Sequence, residues 1–349
     1  MTESSRPRHR TVEAPAGRLH LVEQGAGPLV LLVHGFPESW YSWRHQLPAL
    51  AAAGYRAVAL DVRGYGRSSK PSATPEYRMR ALVEDNLALV RALGERTAVV
   101  VGHDWGANIA AASGLLHPEV FRAVGLLSVP YTPPGGPRPS EVFARMGAGP
   151  GAGGQEFYVS YFQEPGRAEA EIEPDVRGWL AGFYAALSAD TMPAPGEPDP
   201  HFVSAGGTLR DRFPAGRPSW LTEDDLDHCA GEFERTGMTG ALNRYRNMDR
   251  DWEDLADLEG APLTQPSLFV GGALDASTTW LADAIAAFPT TLPALVSSHL
   301  LDGCGHWVQQ ERPREVNRLL VSWLARVCPP AGRDRQQTVS EAGSTPVDR

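Results

Sequence analysis

Val99-Val100-Val101-Gly102-His103-Asp104-Trp105-Gly106-Ala107 is the stretch on which the reading of this chain turns. A short continuous run of β-branched residues suits a strand buried on both faces, as in a parallel sheet. The run passes into Gly-His-Asp-Trp-Gly and then into ANIAAASGLLHP, a helical segment. A strand, a tight turn and a helix, with glycine two residues either side of a central polar residue, form a G-x-Nuc-x-G elbow. Side chains at 102 and 106 would crowd the neighbouring backbone. The central Asp104 is lifted above the sheet beside a helix N-terminus, where amide donors and the helix dipole favour an anion. Read alone, Asp104 has a second reading, as an N-cap beside a structural turn; the context along the chain weighs against it.

RLHLVEQG alternates around Leu19, Leu21 and Glu23 and turns at Gly25–Gly27; PLVLLVHG, Pro28 to Gly35, is a second buried strand. HQLPALAAAG predicts a short helix closed by Gly54, and RAVALD, Arg56 to Asp61, a strand. Thr74 and Pro75 predict an N-cap and first helical residue for a helix ending at Gly94. After the elbow helix, AVGLLSVP is a strand ending at Pro130. From Tyr131 to about Gly154, TPPGGPRP and further glycines predict a linker without regular structure. From Glu156 to about Trp252 the pattern is helical, in DVRGWLAGFYAALS, TEDDLDHCAGEFERTG and GALNRYRNMDRDW, broken by MPAPGEPDPHF. The sheet resumes with PSLFVGG at Pro266 and LVSSHL at Leu295. An amphipathic helix follows Pro313, from about Arg314 to Val327. The expectation is an α/β chain with a mostly parallel sheet and helices on both faces. Its core is formed by residues 1–130 and 253–328, its helical lid and linker by 131–252. The small polar residues of 329–349 are expected to be disordered.

Three further signals follow predicted strands. His34-Gly35-Phe36-Pro37 comes directly after one, so the Phe36 amide is a candidate oxyanion donor, with the Trp105 amide as the second. FVGGALDAS places Asp275, and DGCGHWVQQ places His306, past the last two strands. The order nucleophile, acid, histidine resembles the α/β-hydrolase fold. His306 is then the general base and Asp275 the group that holds its ring. His103, inside the elbow, is not expected to be the working base. An aspartate nucleophile changes the chemistry from that of serine. A carboxylate attacks saturated carbon, displaces oxygen or halide, and leaves an alkyl ester of the enzyme for an activated water to hydrolyse.

Over roughly residues 10 to 328 the chain resembles the soluble, cytosolic-type epoxide hydrolases of the α/β-hydrolase superfamily. The stretches that carry this are HGFPESWYSWRHQLPAL, DVRGYGRSSKP, VVGHDWGA, YFQEP, NRYRNMDRDW and GHWVQQERP. HGFPESW and GHDWG are also similar to haloalkane and haloacid dehalogenases, which keeps a dehalogenase as the alternative. The lid motifs carry the distinction. The resemblance implies two lid tyrosines that hold the epoxide oxygen: Tyr158, three residues before the YF of YFQEP, and Tyr245 in NRYRNMDRDW. Arg244 departs from the family's common aromatic. Independently, a developing alkoxide needs a proton or hydrogen bond, and phenols supply one without acting as bases near neutral pH. Trp43, Trp105 and Phe162 are expected to line the substrate pocket.

Composition narrows the rest. The 349 residues carry a formal net charge of −10, which disfavours nucleic acid as a partner. No apolar run approaches the roughly 20 residues of a membrane span, and no signal peptide is visible. Three sparse cysteines fit neither a zinc pattern nor a disulfide framework, so the expected location is cytoplasmic. With a protein-borne nucleophile, no metal and no organic cofactor is expected. The partners are a small apolar epoxide and water, and assembly into a homo-oligomer is left open.

Overall fold

The central apolar runs pair side by side, each burying both of its faces. A computed structural model describes residues 6–148, 154–194 and 196–330. Its strands are β1 (Arg8–Ala14), β2 (Gly17–Gln24), β3 (Leu29–Val33), β4 (Arg56–Leu60), β5 (Ala98–His103), β6 (Phe121–Leu127), β7 (Glu156–Phe157), β8 (Phe202–Val203), β9 (Ser267–Gly272) and β10 (Leu295–Leu301). Eight of them form one sheet in the order β1-β2-β4-β3-β5-β6-β9-β10, while β7 and β8 make a separate two-stranded ribbon. The pairings β1–β2 and β2–β4 are antiparallel, and every other pairing in the large sheet is parallel.

Alternation along each strand builds two cores. Leu29, Leu31 and Val33 of β3 face one layer together with Val100 and Phe269. Val30 and Leu32 face the other, against Trp43, Leu47, Tyr55 and Trp323. The strand order reverses between β4-β3 and β5, and in such sheets the crevice beyond the carboxyl ends of the strands is where ligands bind. Asp104, Asp275 and His306 all follow strand ends there.

Between β6 and β9 the chain leaves the sheet and builds the helical insertion. Its helices include Val176–Ala186, Glu223–Thr236 and Met248–Asp254. The second of these starts at a capping box between Thr222 and Asp225.

Two local expectations are corrected. The stretch 131–154 is not uniformly irregular, because Pro139–Ala148 is a helix. Its Pro lies at the first turn, where a missing N–H costs nothing. Asp249 of the insertion accepts from the Ser140 N–H (3.0 Å) and hydroxyl (2.7 Å), and Arg138 pairs with Asp249 at 3.1 Å. Tertiary contacts thus supply the cap that composition hides. Residues 149–153, the remainder of the Gly-rich run, and 331–349, nearly all of the expected tail, lie outside the described residues. The second correction is Thr74, which is not the N-cap of one long helix. A 3-10 turn, Thr74–Tyr77, is followed by extended Arg78 and then the helix Met79–Ala92. Asp251, from the insertion, caps that helix by accepting from the Met79 N–H at 2.6 Å.

Candidate active site

The elbow forms because β5 runs beside β3, with Val33 opposite Gly102. A Cβ on Gly102 would overlap the carbonyl oxygen of Gly106, and one on Gly106 would overlap that of Val33. The strand-to-helix turn therefore closes only with glycine at both positions. Asp104 takes the strain, at φ 54° and ψ −124°. A non-glycine residue held there costs on the order of 1–3 kcal/mol. Asp104 does occupy the N-cap position of the helix Trp105–Leu116, yet its carboxylate makes no capping hydrogen bond. Instead the Phe36 N–H donates to Oδ1 at 2.8 Å, and Oδ2 lies 3.5 Å from His306 Nε2.

His306 is held on every side. Its N–H donates to the Leu187 carbonyl at 2.9 Å. Glu311 accepts from the flanking Gly305 and Trp307 amides at 2.9 and 3.0 Å. On the ring, Nδ1 lies 3.2 and 3.3 Å from the two oxygens of Asp275 and 2.8 Å from Ser128 Oγ. Asp275 is also a helix cap, accepting from the Ser277 N–H at 3.0 Å; for this residue the cap and the site coincide. Burial alone would lower the His306 pKa, but the charge of Asp275 and the hydrogen bond and charge of Asp104 raise it well above the usual histidine value. Burial would raise the Asp104 pKa, yet the facing His306, then His103 and the Phe36 amide, bring it below the usual carboxylate value. These shifts all favour the charged forms, an imidazolium facing two carboxylates.

Tyr158 is placed by the β7–β8 ribbon, where its N–H donates to the His201 carbonyl at 2.9 Å. Tyr245 stands on a 3-10 turn beside the elbow, its ring 5.3 Å from that of Trp105. The two tyrosine rings lie 6.2 Å apart. With Asp104, His306, Phe36 and Phe183 they line one cavity. Burial, and after it negative neighbours including Asp104, pushes both phenols above the ordinary tyrosine pKa, so they remain hydrogen-bond donors.

The expected pocket residues divide. Trp105 lines an apolar recess that shares Asp104, Tyr158 and Tyr245 with the main cavity. Phe162 lines neither space. It is fully buried and stands behind Phe36, Tyr158 and Tyr245, with ring distances of 5.5, 5.6 and 5.1 Å. Trp43 is a correction: it is packed in the core on the opposite face of the sheet. The indole ends the 3-10 turn Trp40–Trp43 and is fully buried there. Arg244, in place of an aromatic, stacks its guanidinium 4.8 Å over Trp105 and donates to the Tyr77 carbonyl at 2.6 Å.

Some participants had no signal in the sequence. Ser128, at the end of β6, is one small polar residue among many. His201 and Trp280 line the cavity beside Asp275. His103, set aside as the base, has both ring nitrogens engaged, with Glu38 Oε2 at 2.9 Å and the His306 carbonyl at 2.8 Å. Glu38 in turn accepts from Gln309 and Gln310 at 3.0 and 2.9 Å, which ties HGFPE to the histidine loop. Among the described residues no group of three or more His, Cys, Asp or Glu is arranged to hold a metal ion. No helix among them is long and apolar enough to cross a membrane.

A carboxylate that lines a cavity with one oxygen held by an amide, beside a histidine and two phenols, can attack carbon and then be hydrolysed. Comparison with known proteins points the same way. A family model described as the alpha/beta hydrolase fold matches residues 28–313. Epoxide hydrolase B of Mycobacterium tuberculosis is 42% identical, across 92% of this chain and 99% of that protein. Epoxide hydrolase A of the same organism is 44% identical, across 91% and 97%. Among solved structures, an epoxide hydrolase from an endophytic Streptomyces is 70% identical with a TM-score of 0.88, covering 91% of this chain and 95% of that one.

Proposed function

Since this chain belongs to the epoxide hydrolases within the α/β-hydrolase fold, we propose that Asp104 opens a small apolar epoxide and that His306 directs hydrolysis of the resulting ester to a vicinal diol. The observation that carries the reading is the asymmetry of Asp104. Oδ1 is occupied by the Phe36 amide, while Oδ2 faces His306 across 3.5 Å. Oδ2 is therefore the attacking atom. It bonds to an epoxide carbon as the C–O bond breaks; Tyr158 or Tyr245 gives its phenolic proton to the departing oxygen, which ends as a hydroxyl, and the phenol is restored by the proton that His306 sheds once Asp104 is esterified.

The ester leaves Oδ1 as its carbonyl oxygen, already beside an amide donor. His306 Nε2 then takes a proton from water, and the water oxygen bonds to the Asp104 carbonyl carbon. Negative charge collects on Oδ1, with the Phe36 amide and, as its partner, the Trp105 amide to stabilise it. Collapse breaks the ester bond and returns that proton to the departing diol oxygen; the new Asp104 carboxyl then passes its own proton to His306, which restores the carboxylate and the starting state of the pair.

Esterification also explains how a raised histidine works as a base. It removes the Asp104 charge, one of the two carboxylates that hold the proton on His306. The base becomes available when the intermediate that needs it has formed. In this reading residues 131–252 form the lid over a core of 1–130 and 253–328, and the enzyme works in the cytoplasm. Its three cysteines are free thiols, which suits a reducing compartment.

The test is product analysis on a panel of aryl and alkyl epoxides beside chloroalkanes. Diol formation with no halide release supports the reading. Halide release without diol overturns it in favour of a dehalogenase.

A further inference from the structure

Ser128 stands where β6 ends, and three observations single it out. It is fully buried. It is held at φ 70°, one of only two non-glycine residues at positive φ among those described; the other is Asp104. Its N–H donates to the Val270 carbonyl at 2.9 Å, which fixes the strained turn against β9. Strain of this kind persists where the surroundings over-determine it, and it clusters at working sites.

Its hydroxyl touches both partners of the proposed base. Ser128 Oγ donates to Asp275 Oδ2 and lies 2.8 Å from His306 Nδ1, closer than either oxygen of Asp275 at 3.2 and 3.3 Å. A hydroxyl has one proton to give. An ionised Asp275 can only accept, so that proton goes to Asp275. The Oγ lone pair then faces Nδ1, which must carry hydrogen; once the ring is neutral in the ester intermediate, its free lone pair is left on Nε2. The shortest contact to Nδ1 therefore belongs to Ser128.

Resting on the epoxide hydrolase reading above, we propose that Ser128 is a positioning residue for the second half-reaction: a hydroxyl bridge between Asp275 and His306 that orients the imidazole and fixes its tautomer for water activation. It touches neither substrate nor Asp104, so its effect falls on ester hydrolysis and not on ester formation. When Nε2 takes a proton from water, the Nδ1–H stays on its nitrogen and strengthens its bond to Oγ, and the Oγ–H strengthens its bond to Asp275. No proton leaves the bridge.

Two variants test this, Ser128→Ala and Ser128→Gly. Alanine keeps the strained φ and removes the hydroxyl; glycine removes the hydroxyl and relieves the strain. The wild-type enzyme is run alongside on an epoxide it turns over to diol; absence of diol there defeats the functional reading itself. Single-turnover kinetics with intact-mass detection separate alkylation from ester hydrolysis. The expected result is alkylation within about two-fold of wild type in both variants, with ester hydrolysis slower by roughly ten-fold or more, the loss expected for a hydrogen bond to a charged group. The alkyl-enzyme should accumulate.

The downfield proton resonance of His306 Nδ1–H reports the bridge directly. It should shift in both variants, including glycine, whose melting temperature should be no lower than that of alanine. A merely structural serine predicts a stability change with that resonance and the hydrolysis rate unmoved. Wild-type ester hydrolysis in either folded variant, or an unshifted resonance, overturns the proposal. Slowing of alkylation and hydrolysis by equal factors also overturns it.

Discussion

The Phe36 N–H donates to Oδ1 of Asp104 at 2.8 Å across 68 residues of sequence. The pairing of β3 with β5 delivers the amide to the carboxylate before any substrate arrives. It divides the two oxygens into one held by the backbone and one left to react. Replacing Asp104 by Asn keeps the shape and the Phe36 contact but removes the anion. Asp104→Asn should abolish turnover and form no covalent adduct by intact-mass analysis. Near-normal diol formation in freshly purified protein, with deamidation excluded by peptide mapping, would contradict the assignment of the nucleophile.

His306→Gln should leave ring opening intact and stop ester hydrolysis. The glutamine side chain can fill the space between Asp275 and Asp104 but cannot take the proton of water. One equivalent of epoxide should be consumed as a burst, leaving protein heavier by the epoxide mass. A folded variant that forms no adduct removes His306 from the role of water activator.

The phenols should act on the first half-reaction alone. Loss of one donor to a developing oxyanion is worth about 1.5–3 kcal/mol, or roughly ten- to a few-hundred-fold in rate. Tyr158→Phe and Tyr245→Phe should each retain part of the alkylation rate, and the double variant should be close to inactive. Hydrolysis of a preformed ester should change little, because its oxyanion is Oδ1. Wild-type alkylation by the double variant would show that the tyrosines do not activate the epoxide.

The two half-reactions should separate on the acid side. Asp104 is held below the usual carboxylate pKa, so alkylation should survive mild acid. Ester hydrolysis requires neutral His306, so its rate should rise with pH through the histidine pKa of the intermediate and be lost first as pH falls. Asp275 raises that pKa; in Asp275→Asn the midpoint should move to lower pH, alongside a reduced plateau. Stopped-flow profiles of both steps decide, and coincident acid limbs would refute the assignment.

Gly106→Ala adds one methyl where the Val33 carbonyl already stands. The helix Trp105–Leu116 cannot retreat without moving Asp104 away from the Phe36 amide. The variant should lose on the order of 3 kcal/mol of stability, the upper range for overpacking. At roughly 2–4 °C per kcal/mol for a domain of this order of size, calorimetry should show a fall of several degrees or more. An unchanged melting temperature with full activity would mean that the elbow tolerates a side chain there.

Elements whose cause is local are legible along the chain. The apolar runs of β3, β5 and β9, the glycines of the elbow and the placement of Asp104, Asp275 and His306 after strand ends could be read residue by residue. Backbone sterics and burial on two faces act over a few positions. The motif resemblance supplied Tyr158 and Tyr245, which periodicity alone would have left as lid core. Tertiary structure decided what depends on residues far apart in the chain. The helix Pro139–Ala148 is docked by Asp249, and the helix at Met79 is capped by Asp251; no nearby residue announces either contact. Trp43 and Phe162 belong to the same aromatic vocabulary as Trp105, yet only the path of the backbone sends one to the opposite core, one behind the tyrosines and one to the cavity wall. Ser128 is the clearest case. A single serine after a strand carries no pattern, and its place arises only when β6 and β9 pair and the final loop brings His306 onto the hydroxyl. A hydrogen bond is set by distance and direction in space, and those are fixed by packing, not by spacing along the chain.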